Sequence, residues 1–160
     1  MILYHGTNLI VEKPHPVEQN RYLDFGFGFY TTSNLEQARN FALKVVKRKG
    51  GKPIVNVYEF DEKSMELSAN CKRFVSPDDE WLDFVSDNRN GVYNGDNYGI
   101  IIGAVANDDV YTTLQLYLGG FLTREQALQT LKIKKLYDQY VFATQETMNL
   151  LHFKCFEEVK

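Results

Sequence analysis

Residues 24–32 read DFGFGFYTT, a loop with two glycines that leads through an aromatic residue and two threonines into a predicted helix. Gly26 and Gly28 allow the backbone to approach a ligand closely or to adopt a positive φ. Tyr30 offers an aromatic face on which a planar heterocycle can stack. Near the start of the chain, residues 3–6 (LYHG) place a histidine beside a glycine at the end of a short apolar run. The two segments together predict a pocket for a flat, polar molecule.

The patterns on either side of this loop predict an α+β fold, because strand and helix signals alternate irregularly. Predicted strands occupy residues 1–4, 53–60, 98–105, 139–144 and 153–159. One predicted helix follows a capping box at residues 33–36 and ends at Gly50, and another opens with Ser76 as its cap and Pro77 at its first position. Further helices are predicted at residues 107–118, after a cap at Thr123, and at 145–151. We expect a single domain over residues 1–160.

Composition and charge limit the classes of protein to which the chain can belong. With 160 residues and 44% hydrophobic side chains, it is long enough for one core and too short for two. A net charge of −3 gives no overall attraction to nucleic acid, and the local basic run at residues 44–52 is typical of a solvated helix end, with nucleic-acid binding as the alternative. Cys71 and Cys155 lack the spacing of metal ligands, and no apolar run is long enough to cross a membrane. We therefore expect a cytoplasmic protein without a bound metal or a membrane partner.

A third segment, residues 138–142 (DQYVF), places polar side chains at the start of a predicted buried strand. In this order, the three segments resemble the ADP-ribosyltransferases of the diphtheria-toxin and poly(ADP-ribose) polymerase type. Those enzymes carry a hydrophobic-His-Gly-Ser/Thr strand, a tyrosine in a Gly-x-Gly strand, and a glutamate that opens a late strand. Residues 3–7 (LYHGT), 25–30 (FGFGFY) and 138–142 occupy the three places.

More narrowly, the chain resembles the bacterial family DUF3990 from about Ile2 to Val159. The matching segments are YHGT at 4–7, DFGFGFYTT at 24–32, QARNFA at 37–42, GAVANDDVYTTLQLY at 103–117 and DQYVFAT at 138–144. The resemblance to the transferases implies a split β-sandwich with flanking helices around an NAD cleft.

The resemblance also implies roles for individual residues. His5 would bind a ribose hydroxyl of NAD with support from Thr7, and the Gly6 backbone would meet the nicotinamide amide. Tyr30 and Phe41 would stack on the nicotinamide ring. The implied NAD-binding set is His5, Gly6, Thr7, Arg21, Gly28, Tyr30 and Phe41, and the implied catalytic set is His5, Tyr30 and Gln139. Without the resemblance, the histidine and the two aromatic residues also fit a packing role, and the arginine fits a surface charge.

Gln139 departs from the transferase pattern, which has a glutamate at this place. A glutamine can hydrogen-bond a ribose hydroxyl, but it carries no charge and cannot act as a general base. A chain-building polymerase is therefore not expected. Asp138 is adjacent, but on a strand it points to the opposite face from Gln139. Other polar groups stay open as contributors: Glu146 on the next helix, and residues 107–109, which also fit a helix N-cap.

The resemblance finally implies a mono-ADP-ribosyltransferase that uses NAD to modify a macromolecule, with protein, RNA or DNA as the acceptor. Small bacterial transferases of this kind are often toxins with a paired antitoxin, so an antitoxin is an expected partner. Two alternatives stay open. One is an NAD glycohydrolase, in which water is the acceptor, and the other is a catalytically silent module that binds NAD or an ADP-ribosyl group.

Overall fold

The computed structural model of the protein describes residues 1–16, 23–68, 70–104, 108–133 and 137–160, with the backbone alone at 66–68, 108 and 109. Within these ranges the strands are β1 Ile2–Thr7, β2 Phe29–Thr31, β3 Ile54–Phe60, β4 Cys71–Arg73, β5 Ile100–Ala104, β6 Asp138–Phe142 and β7 Leu151–Glu158. The helices are α1 Leu35–Lys49, α2 Glu62–Ser68, α3 Asp79–Arg89, α4 Asp108–Leu118, α5 Arg124–Lys132 and α6 Gln145–Met148. In the described part of the chain, no helix has the length and apolar character that a membrane span requires.

The described strands form two sheets that pack face to face. One has the order β1-β3-β7 and the other β2-β6-β5-β4, and their pairings are antiparallel except that of β4 with β5. Alternate residues face the space between the sheets. Leu3, Tyr58 and Phe60 enter it from the first sheet, and Ile100 and Phe142 from the second. Two sheets with helices outside them confirm the α+β class.

Helices cover the outer face of each sheet. On the first sheet, α1 packs Ala38 and Ala42 against Val55 of β3. Gly6 of β1 permits this close packing, because a Cβ there would lie 2.1 Å from the carbonyl oxygen of Ala38. On the second sheet, α3, α4 and α5 build a larger core, whose buried residues include Trp81, Leu82, Val85, Val110, Leu114, Ala127, Leu131, Ile101 and Val141.

Two helix starts differ from the sequence prediction. α1 is capped by Asn34 rather than by Ser33. The helix predicted to open at Ser76 instead begins at Asp79, behind the N-cap Asp78. In both helices the capping side chain is the one that accepts a hydrogen bond from the amide three residues further on. The prediction placed each cap one or two residues too early because several neighbouring polar residues are all good capping residues.

Most other boundaries agree with the sequence patterns. Apart from β1, which continues to Thr7, the predicted strands end within two residues of the observed ones. The capping box at Thr123 is confirmed. The last predicted helix ends early, at Met148, because Leu151 already belongs to β7. The short elements β2, α2 and β4 have no counterpart among the elements predicted from residue patterns, since three to seven residues are too few to show a hydrophobic period.

Candidate functional site

The first strands of the two sheets, β1 and β2, meet at a single backbone bridge. The Tyr4 amide donates to the Thr32 carbonyl at 2.8 Å, and the Thr32 amide donates back at 3.0 Å. The next backbone pair along this edge would join Gly6 to Tyr30, but the imidazole of His5 takes its place. His5 Nδ1 lies 2.7 Å from the Tyr30 carbonyl oxygen. The two strands therefore separate just past the bridge. We refer to the space between Gly6 and Tyr30 as the β1–β2 gap.

The backbone of Gly6 faces this gap. Successive residues of a strand point their N–H and C=O groups to opposite edges, so Gly6 points the same way as Tyr4. Since Tyr4 uses that edge to pair with Thr32, the partner of Gly6 on this side would be Tyr30. Among the described residues, no such backbone bond forms. One N–H donor and one C=O acceptor of the buried Gly6 thus lie side by side on the edge of β1 that faces Tyr30.

His5 presents a neutral ring to the same gap. Because the Tyr30 carbonyl can only accept, Nδ1 carries the hydrogen and Nε2 carries a lone pair at neutral pH. Burial lowers the pKa of His5 to about 4, and the hydrogen bond to the Tyr30 carbonyl offsets only part of that shift. The ring packs against Phe29, with the ring centroids 4.2 Å apart. Among the described residues, Nε2 has no hydrogen-bonding partner, so it is available as an acceptor.

Tyr30 holds together, through its hydroxyl, the loop of residues 24–28 that precedes β2, which we call the glycine loop. The hydroxyl donates to the Gly26 carbonyl at 2.5 Å and accepts from the Phe25 amide at 3.1 Å. Burial is the main cause that raises the pKa of the phenol, so the donor proton is retained at physiological pH. Gly26 adopts a φ of 80°, which favours glycine. The hydroxyl is thus committed to the loop, and the half-buried ring packs against the core beneath α3, α4 and α5.

Gly28 is required by packing. A Cβ at this position would lie 2.7 Å from Cγ1 of Val141 and 2.9 Å from the carbonyl oxygen of Phe142. The loop therefore rests directly on β6. Gly28 is one of the residues expected to bind NAD. Its close contact with β6 is by itself enough to require a glycine at this position.

Asp24 is a functional candidate that the sequence analysis did not identify. Its carboxylate is buried and accepts from Nε of Arg89 on α3 at 2.5 Å. The guanidinium also lies over the ring of Tyr111 on α4, 5.0 Å from the centroid. This ion pair fastens the start of the glycine loop to the helical layer. Its two partners are 65 positions apart, so no local sequence pattern predicts the ion pair.

Gln139 lies at the start of β6, on the same sheet face as Tyr30. The register pairs Tyr30 with Val141, and residues two apart on a strand share a face. The Gln139 side chain is only 4% exposed. Its Nε2 donates to the Ala104 carbonyl at 3.4 Å, which also accepts from the Trp81 indole at 3.3 Å. The residue is therefore packed into the sheet, whereas the sequence analysis placed it at an open cleft.

Asp138, the neighbour of Gln139, points to the other face and ties β6 to the segment before α1. Its carboxylate accepts from the Ser33 amide at 2.9 Å, from the Ser33 hydroxyl at 2.5 Å and from the Thr32 hydroxyl at 3.3 Å. Asp138 thus positions the end of β2. These contacts turn its carboxylate toward Thr32 and Ser33 and not toward the β1–β2 gap.

The comparison with protein families decides what the chain is related to. The profile of a family described as a protein of unknown function, DUF3990, matches residues 1–153. The chain belongs to the DUF3990 family. Comparison with curated proteins and with solved structures found no match. The family description names no activity, so the geometry of the β1–β2 gap is the ground for a functional proposal.

Phe41, the second aromatic residue expected at the site of this DUF3990 protein, lies on the flank of α1 above the β1 edge. On the opposite flank, Arg39 pairs with Glu157 of β7, with 2.7 Å between Nε and Oε1. Arg39 and Phe41 are about 200° apart around the helix axis. Because β1 and β7 are the two outer strands of their sheet, Phe41 faces the side of the β1–β2 gap, and it is 46% exposed.

The remaining predicted residues are Thr7, Glu146, Arg21 and residues 107–109. Thr7 ends β1 and is half-buried. Glu146 is exposed in the first turn of α6. Arg21 and Asn107 lie outside the described residues, and only the backbone is described at 108 and 109. Two shallow surface grooves lie away from the gap, one between α1 and the end of β7 and one between residues 12–15 and α6. Among the described residues, no group of three metal-ligating side chains converges.

Proposed function

We propose that this DUF3990 protein is a mono-ADP-ribosyltransferase that takes NAD as its substrate. The observation that carries the proposal is the pair of backbone groups that Gly6 presents to the β1–β2 gap. The carboxamide of nicotinamide needs one donor and one acceptor in a plane, and a strand edge with an unpaired N–H and C=O supplies both. Two such bonds would hold the leaving group in one orientation.

The side chains around the gap suit the rest of the substrate. The lone pair on Nε2 of His5 would accept a hydrogen bond from a ribose hydroxyl, as a neutral imidazole with a lowered pKa can at pH 7. The part of the Tyr30 ring that stays exposed would stack on the nicotinamide, and Phe41 would reach it from α1. Thr7, one residue beyond Gly6, would add a hydroxyl. Stacking and the backbone clasp together restrict the nicotinamide before the bond to the ribose breaks.

The reaction that fits these groups is substitution at C1′ of the ribose. The bond from C1′ to the nicotinamide nitrogen breaks, its electron pair returns to the ring, and a lone pair of the acceptor forms the new bond. The developing positive charge on the ribose is held by oriented dipoles, since Gln139 carries no charge. A protein that works in this way fits the expected toxin with an antitoxin partner, which forms part of the same proposal.

A silent NAD-binding module is the second candidate, and the burial of Gln139 favours it. A side chain that is 4% exposed and hydrogen-bonded to Ala104 is poorly placed to touch a ribose. Gln139→Glu separates the two candidates. A gain of turnover would indicate a disabled site, and a loss with NAD binding retained would indicate that glutamine is the working residue.

The experiment that tests the proposal is incubation of the purified protein with NAD labelled in the ADP-ribose moiety, alone and with cell lysate. We expect nicotinamide release together with label on one class of macromolecule. His5→Ala should abolish both, whereas His152→Ala, an exposed histidine on β7, should leave both unchanged. Nicotinamide release without label would identify an NAD glycohydrolase. No release, with NAD binding that depends on His5, would identify the silent module.

A further inference from the structure

We propose that the basic C-terminal end of α1 and the turn that follows it bind the phosphate backbone of a polynucleotide, and so bring a nucleic-acid acceptor to the β1–β2 gap. The proposal rests on the proposed transferase function and names the class of its acceptor. The surface consists of Lys47, Arg48 and Lys49 in the last turn of α1 and Lys52 in the turn after it. We call it the α1 basic end.

Charge is strongly segregated along this chain. The 22 residues from Gln37 to Tyr58 contain six lysines and arginines and no carboxylate. Since the net charge of the whole chain is −3, the remaining residues together carry −9. The modest overall charge therefore conceals one cationic region on α1 and β3. Such asymmetry is typical of a protein that binds a polyanion locally.

The cations at the α1 basic end are only partly compensated by the fold. Lys52 lies 3.2 Å from a carboxylate oxygen of Glu158, and Arg39, further back on α1, pairs with Glu157. Lys47, Arg48 and Lys49 are exposed, and within the described residues no carboxylate lies within ion-pair distance of them. A helix C-terminus favours cations, but three like charges in one turn also repel one another. A bound polyanion would relieve that repulsion.

The α1 basic end lies beside the β1–β2 gap. Asn8, which follows β1 directly, donates from Nδ2 to the Gly50 carbonyl at 3.1 Å. A Cβ at Gly51 would lie 3.5 Å from Cβ of Asn8. Asn8 is two residues beyond Gly6, which is about 7 Å along a strand. A strand of nucleic acid on the α1 basic end would therefore pass close to the place proposed for the ribose.

The groups around the gap also favour an acceptor that needs no general base. His5 is a weak base because burial lowers its pKa to about 4. Gln139 carries no charge, and Asp138 is occupied by Ser33 and Thr32. A phosphate oxygen, or a ring nitrogen of a base that carries no hydrogen, attacks C1′ with a lone pair and gives up no proton, while the electron pair of the broken bond leaves with nicotinamide. Lysine and serine acceptors must first lose a proton.

The test measures binding of fluorescent 20-nucleotide single strands, one of DNA and one of RNA, by anisotropy without NAD. The triple variant Lys47→Glu, Arg48→Glu, Lys49→Glu should weaken binding at least tenfold. It should also make the slope of log Kd against log salt shallower by about 2, the value for three lost phosphate contacts on a single strand. The matched control Lys63→Glu, Lys154→Glu, Lys160→Glu makes the same charge change at exposed lysines elsewhere and should weaken binding less than threefold. The more tightly bound strand identifies the source as DNA or RNA.

Three outcomes would overturn the docking surface: no binding at low salt, equal loss in the two triple variants, or equally tight binding of a polyglutamate peptide with the same dependence on the α1 basic end. The transferase proposal fails separately. If the strand binds through the α1 basic end but receives no label from NAD, the surface stands and a nucleic-acid acceptor is wrong. If neither the strand nor any macromolecule in the lysate is labelled, the transferase is wrong as well. If the strand is labelled equally in both triple variants, the transferase stands and the surface is wrong.

Discussion

At the junction of β1 and β2, His5 commits one ring nitrogen to the Tyr30 carbonyl, and the other has no hydrogen-bonding partner among the described residues. At the start of β6, Gln139 is turned to the Ala104 carbonyl and is almost fully buried. Both are polar side chains on strands, and the resemblance to ADP-ribosyltransferases implies that both touch NAD. The structure presents one of them and encloses the other. We therefore expect ligand contacts at the edge where the two sheets separate, and the following predictions test that contrast.

The largest loss in the free energy of unfolding is expected from Gly6→Ala, which disturbs the junction of β1 and β2 by displacing α1. The added Cβ would lie 2.1 Å from the Ala38 carbonyl oxygen and 2.9 Å from the Ala42 amide nitrogen, so the helix must move away from β1. We expect a loss of about 3 kcal/mol in the free energy of unfolding. Urea denaturation measures it. Gly50→Ala is the control: its φ is 77° but no atom lies within 4 Å of the new Cβ, so it should cost only about 1 kcal/mol. Equal losses would show that α1 does not press on Gly6.

A smaller loss in the free energy of unfolding is expected from Asp24→Ala. The substitution releases the glycine loop on the Tyr30 side of the junction. The substitution leaves Arg89 partly buried without its carboxylate, although the guanidinium keeps its contact with Tyr111. We expect a loss of about 2 kcal/mol, below the usual range for a fully buried pair because Arg89 retains some contact with water. A double-mutant cycle with Arg89→Ala isolates the pair. Additive losses would mean that the ion pair contributes nothing to holding the loop.

The titration of His5 tests the electrostatic side of the comparison. Its pKa is about 4 in the folded protein and 6.5 in the unfolded chain. Between these values the unfolded chain binds more protons, so stability is complete above pH 6.5 and falls as the pH drops toward 4. For a half-buried ring we expect this component to reach about 1.5 kcal/mol. It appears as the difference between the pH profiles of wild type and His5→Gln in chemical denaturation. Parallel profiles for the two proteins would contradict a desolvated neutral imidazole.

Local residue patterns predict much of this architecture. They do not predict the features that depend on contacts between segments far apart in the sequence. The capping box at Thr123 and the amphipathic pattern of α1 are local, so they predict their helices directly. The relation of Gly6 to α1 needs the position of Ala38, and the pair of Asp24 with Arg89 spans 65 residues. No pattern around either residue contains that information.

The burial of Gln139 was missed for the same reason. A polar residue at a strand start reads as an exposed group, and here the Ala104 carbonyl, 35 residues away, accepts its amide. Trp81 donates to the same oxygen, which places a large indole beside it. Alternation along β6 does predict that Asp138 and Gln139 face opposite sides, and their different partners agree with that.

The smallest change in stability is expected from Gln139→Met, which sharpens the comparison most. Methionine matches the length of glutamine and removes only a long hydrogen bond of 3.4 Å, while the Ala104 carbonyl keeps its bond from Trp81. The loss should stay below about 1 kcal/mol in urea denaturation. Because the fold is preserved, the same variant then isolates the chemistry in the labelled-NAD assay. If label transfer persists in Gln139→Met and disappears in His5→Ala, the junction alone carries the site. If transfer disappears in both, Gln139 must leave the Ala104 carbonyl when NAD binds, and the contrast between a presented and an enclosed side chain holds only for the protein without its substrate.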